Sequence, residues 1–237
     1  MLFQIGLIQF CVFLFFYTVE RLYPDKNHPV APFFNFWWAA LGLFALLWLR
    51  VVFFIWLDLP DGLIEINAPI VAQGFIFYLF YSFGNYWFHR WKHSNAFLWR
   101  YIHHLHHSPS QMETKIAFYR HPLEILANTI YLVVLGKCLF NMPFEALAIA
   151  LAIEGCLECF HHSNIRFPKK MLWLGYIFQL PGMHLVHHEY GLHKYNYAPF
   201  LWDTVFGTLR ISHKWKGRLG FSQSNDIRSM FLFRKRA

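Results

Sequence analysis

The sequence predicts an all-α integral membrane bundle of about four to five hydrophobic helices, topped by a helical cap that faces the cytoplasm. Three observations predict it. Hydrophobic residues make up 57% of the 237 positions and charged ones only 14%, against roughly 25% charged in soluble domains. Apolar runs of near-spanning length recur, with 28 Phe and 10 Trp among them, a composition that suits lipid-facing helices and interfacial belts. All but two of the 15 histidines fall between Tyr86 and Tyr197, at the ends of those runs, where they give the cap a histidine-rich site for two metals.

The elements follow in order. Leu2 to Val19 is an apolar run of spanning length that lacks the basic start and small-residue cleavage site of a signal peptide, so it is expected to stay as a membrane helix. After a polar loop from Glu20 to Pro32, Phe33 to Leu57 forms a second run, with Arg50 inside it snorkelling or ending the span. The loop Asp58 to Asn67 carries Asp58, Asp61 and Glu65 and no basic residue. Asn67 and Pro69 then read as the cap and first turn of a helix running to about Phe88. An acidic loop before this helix and Arg90, Lys92 and Arg100 after it place its far end on the cytoplasmic side.

His121-Pro-Leu-Glu124 opens a further run to Phe140, Asn141-Met-Pro143 turns the chain, and Phe144 to Phe160 runs back. Two arms of about 17 residues read as a helical hairpin, which returns His161 and His162 to the face that holds the earlier histidines. Strict counting of spans places the N-terminus on the opposite face. Met171 to Leu180 is too short to span and reads as an interfacial helix, and residues 211–237 form a basic tail. The four cysteines lie in apolar stretches and read as small core residues, with no second pair to complete Cys156-x-x-Cys159. A charge of +8 with basic residues flanking apolar spans suits anionic lipid headgroups and not nucleic acid.

Three clusters carry the chemistry: His89-Arg-Trp-Lys-His93, His103-His104-Leu-His106-His107 and His184-Leu-Val-His187-His188. Residues three and four apart share a helix face, so His89/His93, His103/His106/His107 and His184/His187/His188 each aim imidazoles one way. His104 falls about 100° away and is set aside. Eight candidate ligands are too many for one tetrahedral zinc and suit a pair of metals. A zinc-protease H-E-x-x-H is absent, because in His188-Glu189 the next histidine, His193, lies five positions after His188, off the i+4 face. Glu-x-x-His, needed twice by soluble carboxylate di-iron proteins, occurs once at Glu158-Cys-Phe-His161.

His-x3-His followed by two His-x2-His-His motifs in this order resembles the fatty acid hydroxylase/sterol desaturase superfamily of membrane di-iron oxygenases. Ser108, His121-Pro-Leu-Glu124, His162-Ser-Asn164, Asn196-Tyr197 and Leu201-Trp-Asp-Thr-Val-Phe-Gly-Thr208 extend the resemblance over about Phe75 to Arg210. It implies a hydroxylase-like catalytic region over 68–210, between membrane helices and loops in 1–67 and the tail. It also implies two iron ions, with zinc able to substitute, O2 as co-substrate, and hydroxylation or desaturation of a lipid C–H bond. The ligands it implies are His89, His93, His103, His106, His107, His184, His187 and His188, with His162 added. His121, His161 and His193 are candidates for ligation or for supporting a ligand, and Asp203 for orienting a ligand imidazole through its N–H. There is no haem-binding His-Pro-Gly-Gly stretch, so a separate cytochrome b5- or ferredoxin-type electron donor is expected. Two other classes compete: a zinc-dependent membrane hydrolase or lyase, and a metal transporter or sensor. The latter would want ligands at mid-membrane, whereas Glu154 is the one intramembrane acid expected and, with Glu158 a turn later, reads as lining the approach to the site.

Overall fold

The computed structural model describes residues 2–25, 61–191, 193–211 and 217–221, with a few helical positions between 37 and 49. Most of the second apolar run with Arg50, the greater part of the loop ending at Pro32, Asp58 and most of the basic tail lie outside the described residues. Among the described residues the chain is all-helical, and β pairing is confined to isolated bridges.

Helix α1 (Leu2–Leu22) packs on α4 (Phe144–His162). Helix α2 (Ile70–Ser94) is 25 residues long, about 37 Å at 1.5 Å per residue, and its main partner is also α4. Gly74 permits that approach, since a Cβ there would stand 2.7 Å from the Ile149 side chain. The core between them is built from Phe77, Tyr78 and Tyr81 of α2, Leu132, and Ala146, Leu147 and Ala150 of α4. Helix α3 (Pro122–Val133) opens on a proline and continues through a wider π-helical segment, Val134–Leu139. Met142 and Pro143 then turn the chain into α4, giving the hairpin its proline-punctuated sequence predicts.

Three expectations need correction. Helix α2 starts after Pro69, not at Asn67, with no side-chain cap; the Gln73 amide instead reaches back to the Ala68 carbonyl at 2.8 Å. It also runs on to Ser94, so His89 and His93 sit within its last turns. The segment after Pro168 is a 3₁₀ helix, Lys169–Tyr176. Cys159 is buried, but Cys11 is exposed on α1, and all four thiols are free.

Past the hairpin the cap is built from short pieces, including α5 (Pro181–His187) and α6 (Trp202–Val205). Buried Glu20 ties α1 to it, accepting from Thr114 N and Oγ1 at 2.8 Å and from Asn164 N at 3.1 Å. By length and composition, one helix among the described residues, Pro122–Leu139, can cross a membrane.

Candidate metal centre

Nine imidazoles from four chain segments meet at the junction of α2, α4 and the cap. They form two groups. His89, His93, His103, His107 and His187 make one; His106, His162, His184 and His188 make the other; within each, the ligand atoms lie within 4.8 Å of one another. The expectation that each cluster acts as one face is corrected here for the second and third clusters. Pairs four apart stay together (His89/His93, His103/His107, His184/His188), while His106 and His187, three along, cross to the other group. A π-helical turn at Trp99–His103 followed by tight turns replaces the regular helix expected over the second cluster.

The contacts between rings are nitrogen to nitrogen. His89 Nε2 is 3.1 Å from His187 Nε2, while their Nδ1 atoms face the Tyr197 and Tyr195 carbonyls at 2.6 and 2.8 Å. His106 Nε2 is 3.2 Å from His162 Nε2, with their Nδ1 atoms on the Tyr119 and Glu158 carbonyls. A carbonyl only accepts, so each Nδ1 carries the proton and each neutral Nε2 presents a bare lone pair. Two lone pairs at 3.1 Å repel unless a cation lies between them. Nitrogens bound at right angles, each about 2.1 Å from one ion, stand about 3 Å apart. The donor set therefore fits metal ions in both groups.

Protonation agrees with this. Burial holds the imidazoles of His103, His106, His107, His184 and His188 below their ordinary range, and pushes His187 down to about 3. They are neutral at pH 7, the form a metal binds.

Behind the ligands lies a charged layer that motif spacing does not reveal. His103 Nδ1 donates to Glu124 Oε1 at 2.8 Å, and buried Lys92 donates to the same oxygen at 3.0 Å and to Asn128 Oδ1 at 3.4 Å. Arg120 Nη2 donates to Glu158 Oε2 at 2.7 Å. Trp99 packs against the rings of His93, His107 and His193. A polar residue inside an apolar run, as Glu124 and Asn128 are four apart on α3, is the signal that points to this layer.

The remaining candidates separate. His161 stands 3.6 Å from Glu158 Oε2, in a small group with Glu158 and His162. His121 caps α3, its Nδ1 accepting from Leu123 N at 3.1 Å. His193 Nδ1 donates to the His187 carbonyl at 2.9 Å, and its ring stacks on His93. His104 stacks on Phe221 instead. Among the described residues Asp203 touches no imidazole: its oxygens accept from Tyr197 N and Ala198 N at 2.8 Å and from Thr208 Oγ1 at 2.6 Å. It acts one step further out, fixing the loop whose Tyr197 carbonyl receives His89. Asn196, beside it, takes a positive φ of 55° that asparagine tolerates; its side chain bridges Met183 and Arg210.

Two cavities meet the centre. One, about 20 Å³, is lined by histidines of both groups, with Asn85, Arg120 and Glu158. The other, about 340 Å³, runs between α1, α3 and α4 and shares those three residues. As expected, Glu154 and Glu158 line it.

The fatty acid hydroxylase family model matches residues 74–208. A very-long-chain aldehyde decarbonylase of Oryza sativa subsp. japonica, GL1-9, is 32% identical over 158 residues, 61% of this chain and 58% of that protein. A Delta(7)-sterol-C5(6)-desaturase of Nicotiana tabacum is 28% identical over 64% of this chain and 58% of its own length. The human alkylglycerol monooxygenase is 31% identical over 56% of this chain and 29% of its own. The chain thus spans little more than half the length of the first two, and no solved structure matches it significantly. The histidine motifs that build the two groups fall inside the matched span: this chain belongs to the fatty acid hydroxylase/sterol desaturase superfamily.

Proposed function

We propose that the chain is a membrane-bound, O2-dependent di-iron oxidoreductase that hydroxylates or desaturates a lipid C–H bond. The carrying observation is the pair of all-imidazole groups, one of five and one of four, opening through a shared partition into an apolar cavity. His89, His93, His103, His107 and His187 would hold one iron, and His106, His162, His184 and His188 the other. Two bound irons would supply O2 activation and the electron steps of C–H oxidation.

The chain's own residues do the rest. The carbonyls of Tyr119, Tyr195 and Tyr197 and the Glu124 carboxylate fix the rings of His106, His187, His89 and His103 and keep those four Nε2 atoms unprotonated. Nine neutral ligands cancel none of the metals' charge, which leaves Glu124 and Glu158 as the nearby negative charges. The small chamber admits little more than one water-sized molecule, so bulk water is excluded from the metals. Electrons would come from a separate one-electron donor of cytochrome b5 or ferredoxin type.

Membrane residence is supported by a stripe on α2. Val71, Phe75, Leu79, Phe83, Trp87 and Trp91 recur every fourth residue, each between 40 and 58% exposed. Such a continuous apolar face belongs against lipid, with the two tryptophans at the interfacial end. The α3–α4 hairpin brings His161 and His162 to the α2 end that bears His89 and His93, so the chain is read as multi-pass, with 68–210 as the catalytic region and its histidine site on the cytoplasmic face.

The test is O2 consumption by iron-loaded protein in lipid nanodiscs with a chemical reductant. Lipid-stimulated uptake, lost in a His106→Ala/His107→Ala variant, is expected. Turnover of lipid that proceeds without O2 or reductant on zinc-loaded protein would replace this reading with a zinc hydrolase or lyase.

A further inference from the structure

The 3₁₀ helix Lys169–Tyr176 has two outer rows of side chains and one inner row. With three residues per turn, positions i and i+3 eclipse. Lys170, Trp173 and Tyr176 therefore form one row, and Met171 and Leu174, continued by Ile177, a second. All of these but Leu174 are exposed, Trp173 by 61% and Tyr176 by 55%. The third row starts at exposed Lys169, turns inward and ends at buried Gly175, where a Cβ would stand 2.8 Å from Met183 Sδ. Glycine thus lets the segment lie directly on α5, which brings His187 to one histidine group and His184 to the other.

Its neighbours set its depth. Thr204 Oγ1 of α6 donates to the Tyr176 carbonyl at 2.7 Å, and Leu201 N donates to the Ile177 carbonyl at 2.8 Å. Trp202 of α6 donates in turn to Ser82 Oγ of α2 at 3.0 Å, and Phe206 packs on the rings of Phe83 and Trp87. The Tyr176 end of the segment therefore lies beside the end of the α2 stripe that carries the tryptophans, and exposed Val205 of α6 adds to the apolar surface there. Exposed tryptophan and tyrosine at this level suit the boundary between acyl chains and headgroups. The cations beside them are uncommitted. Arg166 pairs with Asp25 at 3.4 Å, whereas Lys169 and Lys170 pair with no carboxylate among the described residues. Two such ammonium groups next to an apolar row complement an anionic lipid surface.

Resting on the membrane residence proposed above, we propose that residues 169–177 dock on the anionic leaflet of the bilayer. Met171, Trp173, Tyr176 and Ile177 enter the acyl boundary, and Lys169 and Lys170 bind anionic phospholipid headgroups. The segment so fixes the height of α5, and with it one histidine of each group, relative to the lipid.

The test is quenching of tryptophan emission by brominated acyl chains, with the full chain in nanodiscs. The signal of one tryptophan is the difference between the parent and its variant, Trp173→Phe or Trp91→Phe. In brominated phosphatidylcholine most of the Trp173 signal should be lost. In an equimolar mixture with phosphatidylglycerol, bromine on the anionic lipid should quench it more than bromine on the zwitterionic one, because two lysines at a charged surface favour the anionic lipid by up to about 30-fold. Lys169→Gln/Lys170→Gln should remove most of that preference, and high salt should weaken it. Full Trp173 emission beside a quenched Trp91 would overturn the docking and leave membrane residence standing, with the exposed rows open to a protein partner instead. Full emission from both would overturn the two together. Equal quenching by the two lipids, or a preference intact in the lysine variant, would overturn the headgroup assignment. Failure of O2 uptake with Trp173 quenched would sink the oxidase reading alone.

Discussion

His103 and Glu124 are joined by a 2.8 Å hydrogen bond, and the same carboxylate oxygen is the ion-pair partner of buried Lys92. One acid thus orients a candidate ligand and neutralises the charge beneath it. Removing Glu124 does two separable things. It frees the His103 ring, and loss of such a partner typically costs 10–100-fold in metal affinity. It also strands Lys92, and breaking a buried pair costs roughly 3–5 kcal/mol. Glu124→Leu should therefore melt well below the parent, while Lys92→Met/Glu124→Leu should recover most of the stability and none of the metal affinity. Paired Tm and metal titrations of the two variants check this; equal Tm values would remove the ion-pair account.

Metal-free protein should lose stability in acid. His187 is held at about 3 in the fold against 6.5 ordinarily, because burial penalises its charged form. Between those values the unfolded chain takes up a proton that the fold does not. Stability is full above pH 6.5 and declines as pH falls towards 3, by up to about 1.4 kcal/mol per pH unit for this residue. His103, His106, His107, His184 and His188 shift in the same direction and add to the slope. Thermal melts of chelator-treated protein at pH 7.5 and pH 5.0 should show a marked drop, and one that metal-loaded protein resists. A flat profile would mean that these imidazoles are not buried as described.

The α2 stripe predicts where charge is forbidden. Leu79→Lys places an ammonium on the face proposed to meet lipid, where insertion scales charge about 2.5–3.5 kcal/mol at mid-helix. The variant should shift into the carbonate-soluble fraction, whereas Leu63→Lys, on a loop residue that is 84% exposed, should remain with the membrane. Full retention of Leu79→Lys would argue against lipid contact along α2.

The sequence made the helical hairpin legible because Pro122 and Pro143 each open a long apolar arm, and the histidine motifs legible because i, i+4 pairs survive folding as neighbours. Two things were hidden. The second and third clusters are each divided between the two groups, and over the second this goes with the π-helical turn at Trp99–His103, a backbone event without a residue signature. Lys92, read as one of the basic residues marking the cytoplasmic side, is 2% exposed and paired with Glu124 from 32 positions away. Its charge serves the site and not the membrane surface, which weakens the positive-inside argument by one residue. Asp203 shows the same limit: its role passes through the backbone of Tyr197, a relation that side-chain chemistry alone does not encode.

The central claim is that nine histidines hold two metal ions in separable sites. Metal content after anaerobic loading with Fe2+ and desalting tests it most directly, in the parent and in His107→Ala and His188→Ala variants. About two irons per chain in the parent, and about one in each variant because only the group that lost its ligand empties, is the predicted result. One iron or none in the parent, or two retained in both variants, would contradict it.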